Sequence, residues 1–330
     1  MPVAPYVTVG LPVYNGERLL GRAVESLLAQ TFENFELVIS DNGSTDRTES
    51  ICRAFAGRDP RVRYHRNAEN VGAARNFNRV FELGRAPYFR WAAHDDMCRP
   101  DFLARCVEVL DREPDVSLVY TRAVDVDEQD RPIKEYAPSS LATQARAADR
   151  VRDLLRNPSP CFEAFALMRR EQLSQTDLIG AYTASDRTLL LEMAMRGRFH
   201  QVPEVLFLHG QHAERSVARF RCARAMNAWF DPSRAGKFTF PTWRLMNEYR
   251  RAIRRAPVDR PTRSQCERHL ARWASANARP LAREVAAGVR HLSLRTVGGA
   301  VHAVDRLRHS APIGHSALKP TVDGTGATHT

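Results

Sequence analysis

Two adjacent carboxylates, Asp95 and Asp96, are the residues of this sequence best suited to carry chemistry. They follow an apolar run, residues 88–93, that predicts a buried strand, and Pro100 then begins an amphipathic helix. Adjacent carboxylates repel each other unless a cation or hydrogen bonds compensate. Hard divalent ions bind carboxylate and phosphate oxygens together. The pair therefore predicts a metal-held diphosphate, while the alternative is a solvated turn in which one aspartate caps the helix.

The elements that must position this pair include three earlier strand–helix units with polar loops at their strand ends. Strands are predicted at residues 7–13, 35–40 and 62–65, and each is followed by a helix with one apolar face. Four such units within about a hundred residues predict an α/β fold with a doubly wound, mostly parallel sheet flanked by helices. Ligands of such sheets bind outside the carboxyl ends of the strands. The loops rich in Asp, Asn and Gly therefore indicate a nucleotide site.

The usual sequence motifs for binding phosphate are missing from these loops. No GxGxxG follows the first strand, and no GxxxxGK[ST] occurs anywhere in the sequence. A bound nucleotide would need another way of holding its phosphates, and a metal ion at the carboxylate pair would supply it. The missing loop also argues against a nucleotidyltransferase, which would normally carry a glycine-rich loop after its first strand.

The bulk composition is that of an ordinary globular protein. The 330 residues suffice for one large or two ordinary domains, and 43% of them are apolar. The six cysteines show no spacing typical of metal sites, and the N-terminus shows no signal-peptide pattern. No run of about eighteen apolar residues predicts a membrane span. We therefore expect a cytoplasmic protein with reduced thiols.

The net charge of +11 is concentrated at the C-terminal end. Residues 241–330 hold sixteen basic and six acidic side chains and so carry ten of the eleven net positive charges. Such a region can contact nucleic acid, anionic lipid or an acidic partner, or it can form only a solvated helical surface. No recognition motif supports nucleic acid, which we do not expect as a partner. Helices are predicted at residues 216–230, 241–255, 262–276 and 279–304.

Five short motifs resemble those of the family 2 glycosyltransferases of the GT-A fold, and they follow one another in the family's order. They are VTVGLPVYN at residues 7–15, LAQTF at 28–32, FELVISDNGSTD at 35–46, NVG with RN within 70–76, and the Asp-Asp strand end. Any one motif is weak, but five in register are specific. The resemblance is strong over residues 6–125 and weaker over residues 126–215. It gives no support for the structure or role of residues 216–330.

The resemblance implies a division of the chain. A GT-A glycosyltransferase domain would cover residues 1–215, with its nucleotide-sugar half at 6–125 and its acceptor half at 126–215. We expect a basic helical extension at residues 216–309. The remaining residues, 310–330, have few large apolar side chains and predict a disordered tail.

The resemblance also implies a reaction. A sugar would pass from a nucleoside-diphosphate sugar, UDP-linked or similar, to an acceptor hydroxyl, with inversion and with the help of Mg²⁺ or Mn²⁺. The acceptor would be a carbohydrate, a lipid-linked molecule or a small molecule. The basic helices are either a scaffold or oligomer contact, or a peripheral contact with the inner face of the cytoplasmic membrane. A non-catalytic sugar-nucleotide binding protein is the rival class.

Roles for the nucleotide-binding residues follow from the resemblance position by position. It implies that Pro12, Tyr14 and Glu17 line the pocket for the base and ribose. It implies that Asp41 accepts a hydrogen bond from a ring nitrogen of the base. Three more residues would lie near the base: Asn70, Gly72 and Arg75.

The resemblance places the carboxylate pair in the family's Asp-x-Asp region. Ala93 stands where the first carboxylate of the commonest form, Asp-x-Asp-Asp, would be. Asp96 would then be the metal ligand, and Asp95 the ribose contact or a second metal ligand. His212 is similar to a late histidine of the family that lies near the diphosphate, and the resemblance implies that it is a further metal ligand. The family often has Arg two residues earlier, where this sequence has Gly210.

Asp186 matches the place of the family's catalytic base, which removes the proton from the acceptor hydroxyl. It stands in the sequence TASD at the start of a strongly apolar helical stretch. The alternative is that Asp186 only caps this helix, and one residue could do both.

Overall fold

The computed structural model describes most of the chain. The described residues are 4–157, 159–213, 215, 223–235 and 237–290. One compact unit extends to Glu284, and the second, Val285–Thr330, is described only for its helical residues 285–290. The predicted tail and the predicted helical segments at 216–222 and 291–304 lie outside the described residues.

A single mixed sheet of nine strands is present within the described residues, in the order β3-β2-β1-β4-β8-β6-β9-β5, with β7 paired to β6. The strands are β1 (Val7–Val13), β2 (Phe35–Asp41), β3 (Val62–Arg66), β4 (Tyr88–Trp91), β5 (Met97–Cys98), β6 (Val116–Val126), β7 (Pro132–Glu135), β8 (Leu167–Arg169) and β9 (Arg198–Gly210).

Helices cover both faces of the sheet and continue beyond it. They are α1 (Leu20–Leu28), α2 (Thr48–Arg58), α3 (Ala73–Leu83), α4 (Phe102–Arg112), α5 (Ala147–Arg156), α6 (Arg170–Leu173), α7 (Ser185–Ala194), α8 (Ala223–Phe230), α9 (Pro241–Arg255) and α10 (Arg260–Ala276). Two short 3₁₀-helices lie at Phe162–Phe165 and Pro232–Arg234. Within the described range, no helix is long and apolar enough to span a bilayer.

The strand pairing confirms the predicted doubly wound, mostly parallel sheet. β1 lies parallel to β2 and β4, β2 lies parallel to β3, and β6 lies parallel to β9. Every residue of β1 and β2 is buried because helices cover both faces of the sheet. The register sets Val13 beside Asp41, so the polar loops after these two strands begin side by side. The short strand β8 is antiparallel to both β4 and β6.

The Ala- and Arg-rich composition of residues 141–156 predicts a helix there, and this prediction is wrong for residues 141–146. The helix begins only at Ala147. Ala142 has a φ of 53°, in the left-handed region that does not continue a helix, and its N–H donates to Asp153 at 2.8 Å. A local side-chain hydrogen bond has therefore replaced the first helical turn.

The C-terminal helices α9 and α10 pack against α5 and α7 in a third apolar cluster. This cluster includes Val151, Leu191, Tyr249, Ile253 and Leu270. The predicted helices at 241–255 and 262–276 are confirmed, the second of them two residues longer at its start. Their inner faces are thus buried in the fold. Most of their arginines are exposed, whereas Arg244 and Arg263 are half-buried and Arg255 pairs with Asp177 and Glu192.

Candidate nucleotide-sugar site

The carboxylate pair lies beyond the tip of β4, against the end of β9. The backbone N–H of Gly210 donates a hydrogen bond of 3.0 Å to Oδ1 of Asp96. Nε2 of His212 lies 2.9 Å from Oδ2 of Asp95, within hydrogen-bond distance. A Cβ atom added to Gly210 would overlap the carbonyl oxygen of Asp95. The family's arginine cannot stand at this position because any side chain would push the two segments apart.

The two carboxylates are in different electrostatic states. Burial acts to raise the pKa of Asp95, but the hydrogen bond with His212 and the charges of His94 and His212 outweigh it and lower that pKa to about 2. Burial and the charge of Asp95 raise the pKa of Asp96. Ionisation is therefore easier for Asp95 than for Asp96, and a cation beside the pair would favour the charged form of Asp96.

A cleft with both polar and apolar walls, open to solvent, adjoins the pair. Its walls come from α1, from the turn after β6 and from the end of β9, and they include Asp95 and His212. Arg22 on α1 lines it and donates to the carbonyl of Glu128 at 2.8 Å. Arg18 lies 3.4 Å from Nδ1 of His212 and pairs with Glu128 at 2.9 Å. Two arginines thus stand beside the carboxylates, where an anionic group would be stabilised.

Asp41, at the end of β2, is fully buried and bound from within the protein. Its Oδ1 accepts from the N–H of Ser44 at 2.9 Å, and its Oδ2 accepts from the hydroxyl of Tyr64 at 2.9 Å. Burial and this hydrogen bond raise the pKa of Tyr64, which stays a donor. Asp41 therefore shapes the loop after β2, and its predicted contact with a base remains a prediction.

The loop at residues 70–72 is fixed to the end of β2 by side-chain amides. Oδ1 of Asn70 accepts from Nδ2 of Asn42 and from the N–H of Gly72, both at 2.9 Å. Oδ1 of Asn42 accepts from the N–H of Val71 at 3.0 Å. Sequence reasoning did not assign Asn42 a role, although its place directly after Asp41 at a strand end was a usable signal.

Gly72 is needed for a close contact with the C-terminal part of the chain. Its φ is 90°, and an added Cβ would lie 2.6 Å from the carbonyl oxygen of Phe230 and 2.7 Å from Cδ of Pro232. Arg75, in the first turn of α3, is exposed and pairs with no other residue that the structure describes. The predicted neighbourhood of the base is therefore bounded by the segment that follows α8.

The loop after β1 contributes one exposed aromatic ring. Tyr14 is 41% exposed, whereas Pro12 is buried within β1. Oε2 of Glu17 accepts from the backbone N–H of Arg47 at 3.0 Å. Glu17 therefore holds this loop against the start of α2, and its side chain, 40% exposed, is as accessible as that of Tyr14.

Asp186 lies in the first turn of α7 without capping it. The N-cap is Ala184, with a φ of 65°, so the capping alternative is not what the structure shows. Oδ1 of Asp186 accepts from the N–H of Arg187 at 2.9 Å. Just upstream, Thr183 donates to Oδ1 of the buried Asn227 in α8 at 3.3 Å. The turn before Asp186 is thus fixed by the C-terminal part of the chain.

The segment at residues 159–165 connects Asp186 with the end of β9. Arg187, next to Asp186, donates to the carbonyl of Ser159 at 3.1 Å. The ring of Phe162 packs edge-on against that of His209, with centroids 5.0 Å apart. His209 precedes Gly210 in β9, so this segment contacts the sequence neighbours of both Asp186 and Gly210.

We expect Gly210→Ala to disrupt the carboxylate pair while the sheet survives. The new methyl group would displace the carbonyl of Asp95 and weaken the hydrogen bond to Asp96, so nucleotide affinity should fall by about tenfold or more. Titration with UDP and Mn²⁺ measures this. Gly57→Ala is the matched control because an added Cβ there meets no atom within 4 Å. Equal affinity in both variants would contradict the contact.

Comparison with known proteins supports one family. The model of the family described as "Glycosyl transferase family 2" matches residues 8–176. Relatives include an uncharacterised protein, y4gI, of Sinorhizobium fredii (37% identical over 119 residues, 36% of this chain and 13% of the relative) and glycosyltransferase GlyG of Streptococcus pneumoniae (31% over 124 residues, 38% and 41%). The matched part thus spans less than half of either relative.

Solved structures with the same fold include two glycosyltransferases. Residues 1–349 of Staphylococcus aureus TarS in complex with UDP-GlcNAc match with a TM-score of 0.62 and 16% identity, over 82% of this chain and 72% of that one. Mannosyltransferase PcManGT of Pyrobaculum calidifontis, in complex with GDP-Man and Mn²⁺, matches with 0.54 and 20% identity, over 91% and 81%. The family match over half the sequence, together with this fold, shows that the chain belongs to the family 2 glycosyltransferases and has the GT-A fold.

Proposed function

We propose that this protein transfers a sugar from a nucleoside-diphosphate sugar to an acceptor hydroxyl, with inversion at the anomeric carbon. The observation that carries the proposal is the carboxylate pair at the carboxyl edge of the sheet, fixed by the end of β9. Binding at this edge is the rule for open α/β sheets. The structural neighbours complexed with UDP-GlcNAc and GDP-Man support a donor of the same class, UDP-linked or similar.

A divalent cation, Mg²⁺ or Mn²⁺, fits the chemistry of the pair. No three His, Cys, Asp or Glu side chains of the described segments form a cluster that could hold a metal. These ions commonly need only one or two carboxylates, because substrate phosphates complete their ligands. Oδ2 of Asp96 and Oδ1 of Asp95 are the oxygens not used in the contacts with Gly210 and His212. His212, also predicted as a ligand, would have to exchange its contact with Asp95 for the ion.

The raised pKa of Asp96 supports the same assignment. Two buried neighbouring carboxylates cannot both ionise easily, and a cation between them would relieve the repulsion. When bound, the metal would stabilise the negative charge on the departing diphosphate as a Lewis acid. The residues of the chain have separate tasks: Asp95 is oriented by His212, and Asp96 by the N–H of Gly210.

Asp186 is the proposed catalytic base. The acceptor oxygen forms a bond to the anomeric carbon as the bond from that carbon to the diphosphate breaks, and the proton of the acceptor hydroxyl passes to the carboxylate of Asp186. Because Asp186 does not cap α7 and its one hydrogen bond within the described residues involves Oδ1, its Oδ2 remains for this proton. General-base catalysis of this kind contributes roughly a hundred- to ten-thousandfold.

We expect Asp186→Asn to lose transfer and keep donor binding. The amide cannot accept the proton, so release of UDP from UDP-sugars in the presence of acceptors should fall by roughly a hundredfold or more. UDP affinity should change less than about threefold, because Asp186 holds no part of the nucleotide in this proposal.

The matched control is Asp149→Asn, which changes the same residue type in the first turn of another helix, α5. Unchanged turnover in Asp186→Asn would show that Asp186 is not the catalytic base. If the wild-type protein binds UDP-sugars yet releases no UDP with any acceptor in a broad panel, the non-catalytic binding protein is the correct class.

We expect Asp96→Asn to abolish the metal dependence of nucleotide binding. In wild type, adding Mn²⁺ should tighten UDP binding by about tenfold or more, and EDTA should reverse this. The neutral amide lacks the negative charge of the carboxylate and holds a divalent cation poorly, so the variant should show the same weak affinity with and without Mn²⁺. Asp101→Asn, five residues further on and exposed, is the control. A full Mn²⁺ effect in Asp96→Asn would show that the ion binds elsewhere.

We also propose that the basic outer faces of α9 and α10 contact the inner face of the cytoplasmic membrane. Their inner faces lie in the third apolar cluster, so the exposed side chains are mostly charged. Arginines near an anionic leaflet contribute about 1 kcal/mol each. The competing proposal is a scaffold, which the packing on α5 and α7 supports equally.

Replacing the exposed arginines with neutral residues distinguishes a membrane contact from a scaffold. We expect a variant with four exposed arginines changed to Gln to lose co-sedimentation with vesicles containing anionic phospholipid, while its melting temperature stays within a few degrees of wild type. The four are Arg250, Arg254, Arg268 and Arg272. Vesicles of neutral phosphatidylcholine are the control. Equal sedimentation of the variant and wild type would exclude these faces as a membrane contact.

A further inference from the structure

A short acidic turn lies against the two arginines that stand beside the carboxylate pair. Residues 127–131, between β6 and β7, form it, and their three acidic and one basic side chains give a net charge of −2. We call this segment the acidic turn. Its Asp127 and Glu128 line the same cleft as Asp95 and His212. Negative side chains are therefore placed at the edge of a site whose proposed ligand is itself an anion.

The acidic turn is shaped by its own first residue. Oδ1 of Asp127 accepts from the N–H groups of Gln129 and Arg131, both at 2.9 Å, and its Oδ2 accepts from Nε of Arg131 at 2.7 Å. Asp130 has a φ of 64°, in the left-handed region that suits a tight reversal. These contacts keep Asp127 and Arg131 within the turn, whereas Glu128 and Asp130 pair with a neighbouring element.

That neighbouring element is the start of α1 with the residues just before it. A carboxylate oxygen of Glu128 lies 2.9 Å from Nη1 of Arg18. Arg22 pairs with Asp130 and donates to the backbone carbonyl of Glu128 at 2.8 Å. The four paired side chains are between 35% and 49% exposed. Ion pairs this exposed to water are weak, so a stronger anion can replace the carboxylate at low cost.

Arg18 connects the acidic turn with the carboxylate pair. Its Nη2 lies 3.4 Å from Nδ1 of His212, whose Nε2 lies 2.9 Å from Oδ2 of Asp95. One tautomer of His212 satisfies both contacts, with Nε2–H donating to Asp95 and Nδ1 accepting from Arg18. A single imidazole ring thus separates the guanidinium from Asp95. A diphosphate held at the pair would be within reach of this positive charge.

The hairpin that carries the acidic turn is lightly attached to the sheet. All four residues of β7 are exposed, and β7 pairs with β6 from Val124 to Val126 with a register shift between Asp125 and Val126. Pro132 brings no N–H to this pairing. Segments with few buried apolar contacts open at a small cost in free energy. The acidic turn can therefore withdraw from Arg18 while the sheet stays intact.

We propose that Arg18 binds the diphosphate of the donor and that Glu128 of the acidic turn competes with the donor for this arginine. This inference rests on the proposed function, in which the diphosphate lies at Asp95 and Asp96. Phosphate oxygens replace the carboxylate of Glu128 beside the guanidinium, so one ion pair is exchanged for another. Every ligand that enters must displace Glu128, and only a ligand with phosphates regains the contact. The exchange therefore favours nucleoside diphosphates over nucleosides.

Glu128→Gln tests the exchange through a gain in affinity. The amide keeps the size of the side chain and removes the charge that competes for Arg18. UDP should therefore bind about two- to fivefold tighter in the presence of Mn²⁺, as measured by calorimetric titration. Uridine, which has no phosphate, should compete against UDP equally well in both proteins once the change in UDP affinity is taken into account. The turn itself should persist, because Asp127 and Arg22 hold its backbone.

The matched control is Glu108→Gln, in α4. Glu108 is also an exposed glutamate that pairs with arginine, at 3.0 Å from Arg105 and 3.3 Å from Arg112. We expect this variant to bind UDP like wild type. Raising NaCl to about 0.5 M should shrink the gain in Glu128→Gln, because salt screens exposed ion pairs. A change in folding alone would produce neither the gain nor its dependence on salt.

Arg18→Gln completes the double-mutant cycle. Alone, it should weaken UDP binding about three- to tenfold, because the diphosphate loses a charged donor. The double variant should bind UDP like Arg18→Gln alone, since Glu128 then has no guanidinium for which to compete. If the gain from Glu128→Gln persists without Arg18, the turn acts by general repulsion and the exchange is wrong.

Equal or weaker UDP binding in Glu128→Gln than in wild type would also overturn the exchange, as would an equal gain for uridine. These outcomes leave the proposed function intact, because the wild-type protein still binds UDP in each of them. If the wild-type protein binds neither UDP nor GDP, the proposed function fails, and the role of Arg18 fails with it.

Discussion

The whole site depends on one steric constraint, the direct contact between the backbone of Gly210 and the carbonyl of Asp95. β9 pairs with β6 along almost all its length, so the register of that pairing decides which residue arrives at the tip of β4. A shift of one residue would turn every side chain of β9 to the opposite face. In the observed register, Gly210 contacts the carbonyl of Asp95 and its N–H donates to Asp96. His212 then lies within hydrogen-bond distance of Asp95.

The sequence predicts most of the parallel half of the fold because strands buried on both faces leave long apolar runs. It does not reveal β8, since three residues, Leu167–Arg169, are too few to show a period. Ala142 has no sequence feature that marks its left-handed conformation. Side-chain type was enough to single out Asp95 and Asp96, whereas Asp186 was singled out by the family resemblance. The importance of Gly210 arises from a contact between distant segments, which single-sequence patterns do not carry.

Ala93 stands where the resemblance implies a further carboxylate, and Arg90 places a positive charge behind the remaining pair. Arg90 is almost completely buried in β4, with its guanidinium 4.1 Å from the centre of the Phe102 ring and a hydrogen bond to the thiol of Cys98. Its charge, with that of Arg215, acts against the burial that raises the pKa of Asp96. A site with fewer anions and a cation beneath it should hold a bare divalent ion weakly. The diphosphate of the donor then becomes the main source of negative charge that recruits the ion.

The pairing of β6 limits where this protein can be shortened. β6 contacts β8 over only two residue pairs on one side, and β9 covers the other side. A fragment cut at residue 176, where the family match ends, would leave that long apolar strand with a row of unpaired backbone groups. Exposed strands of this kind recruit other chains and aggregate. Expression of a shortened protein should therefore retain the chain through α10, whose packing keeps α7 and α5 in place.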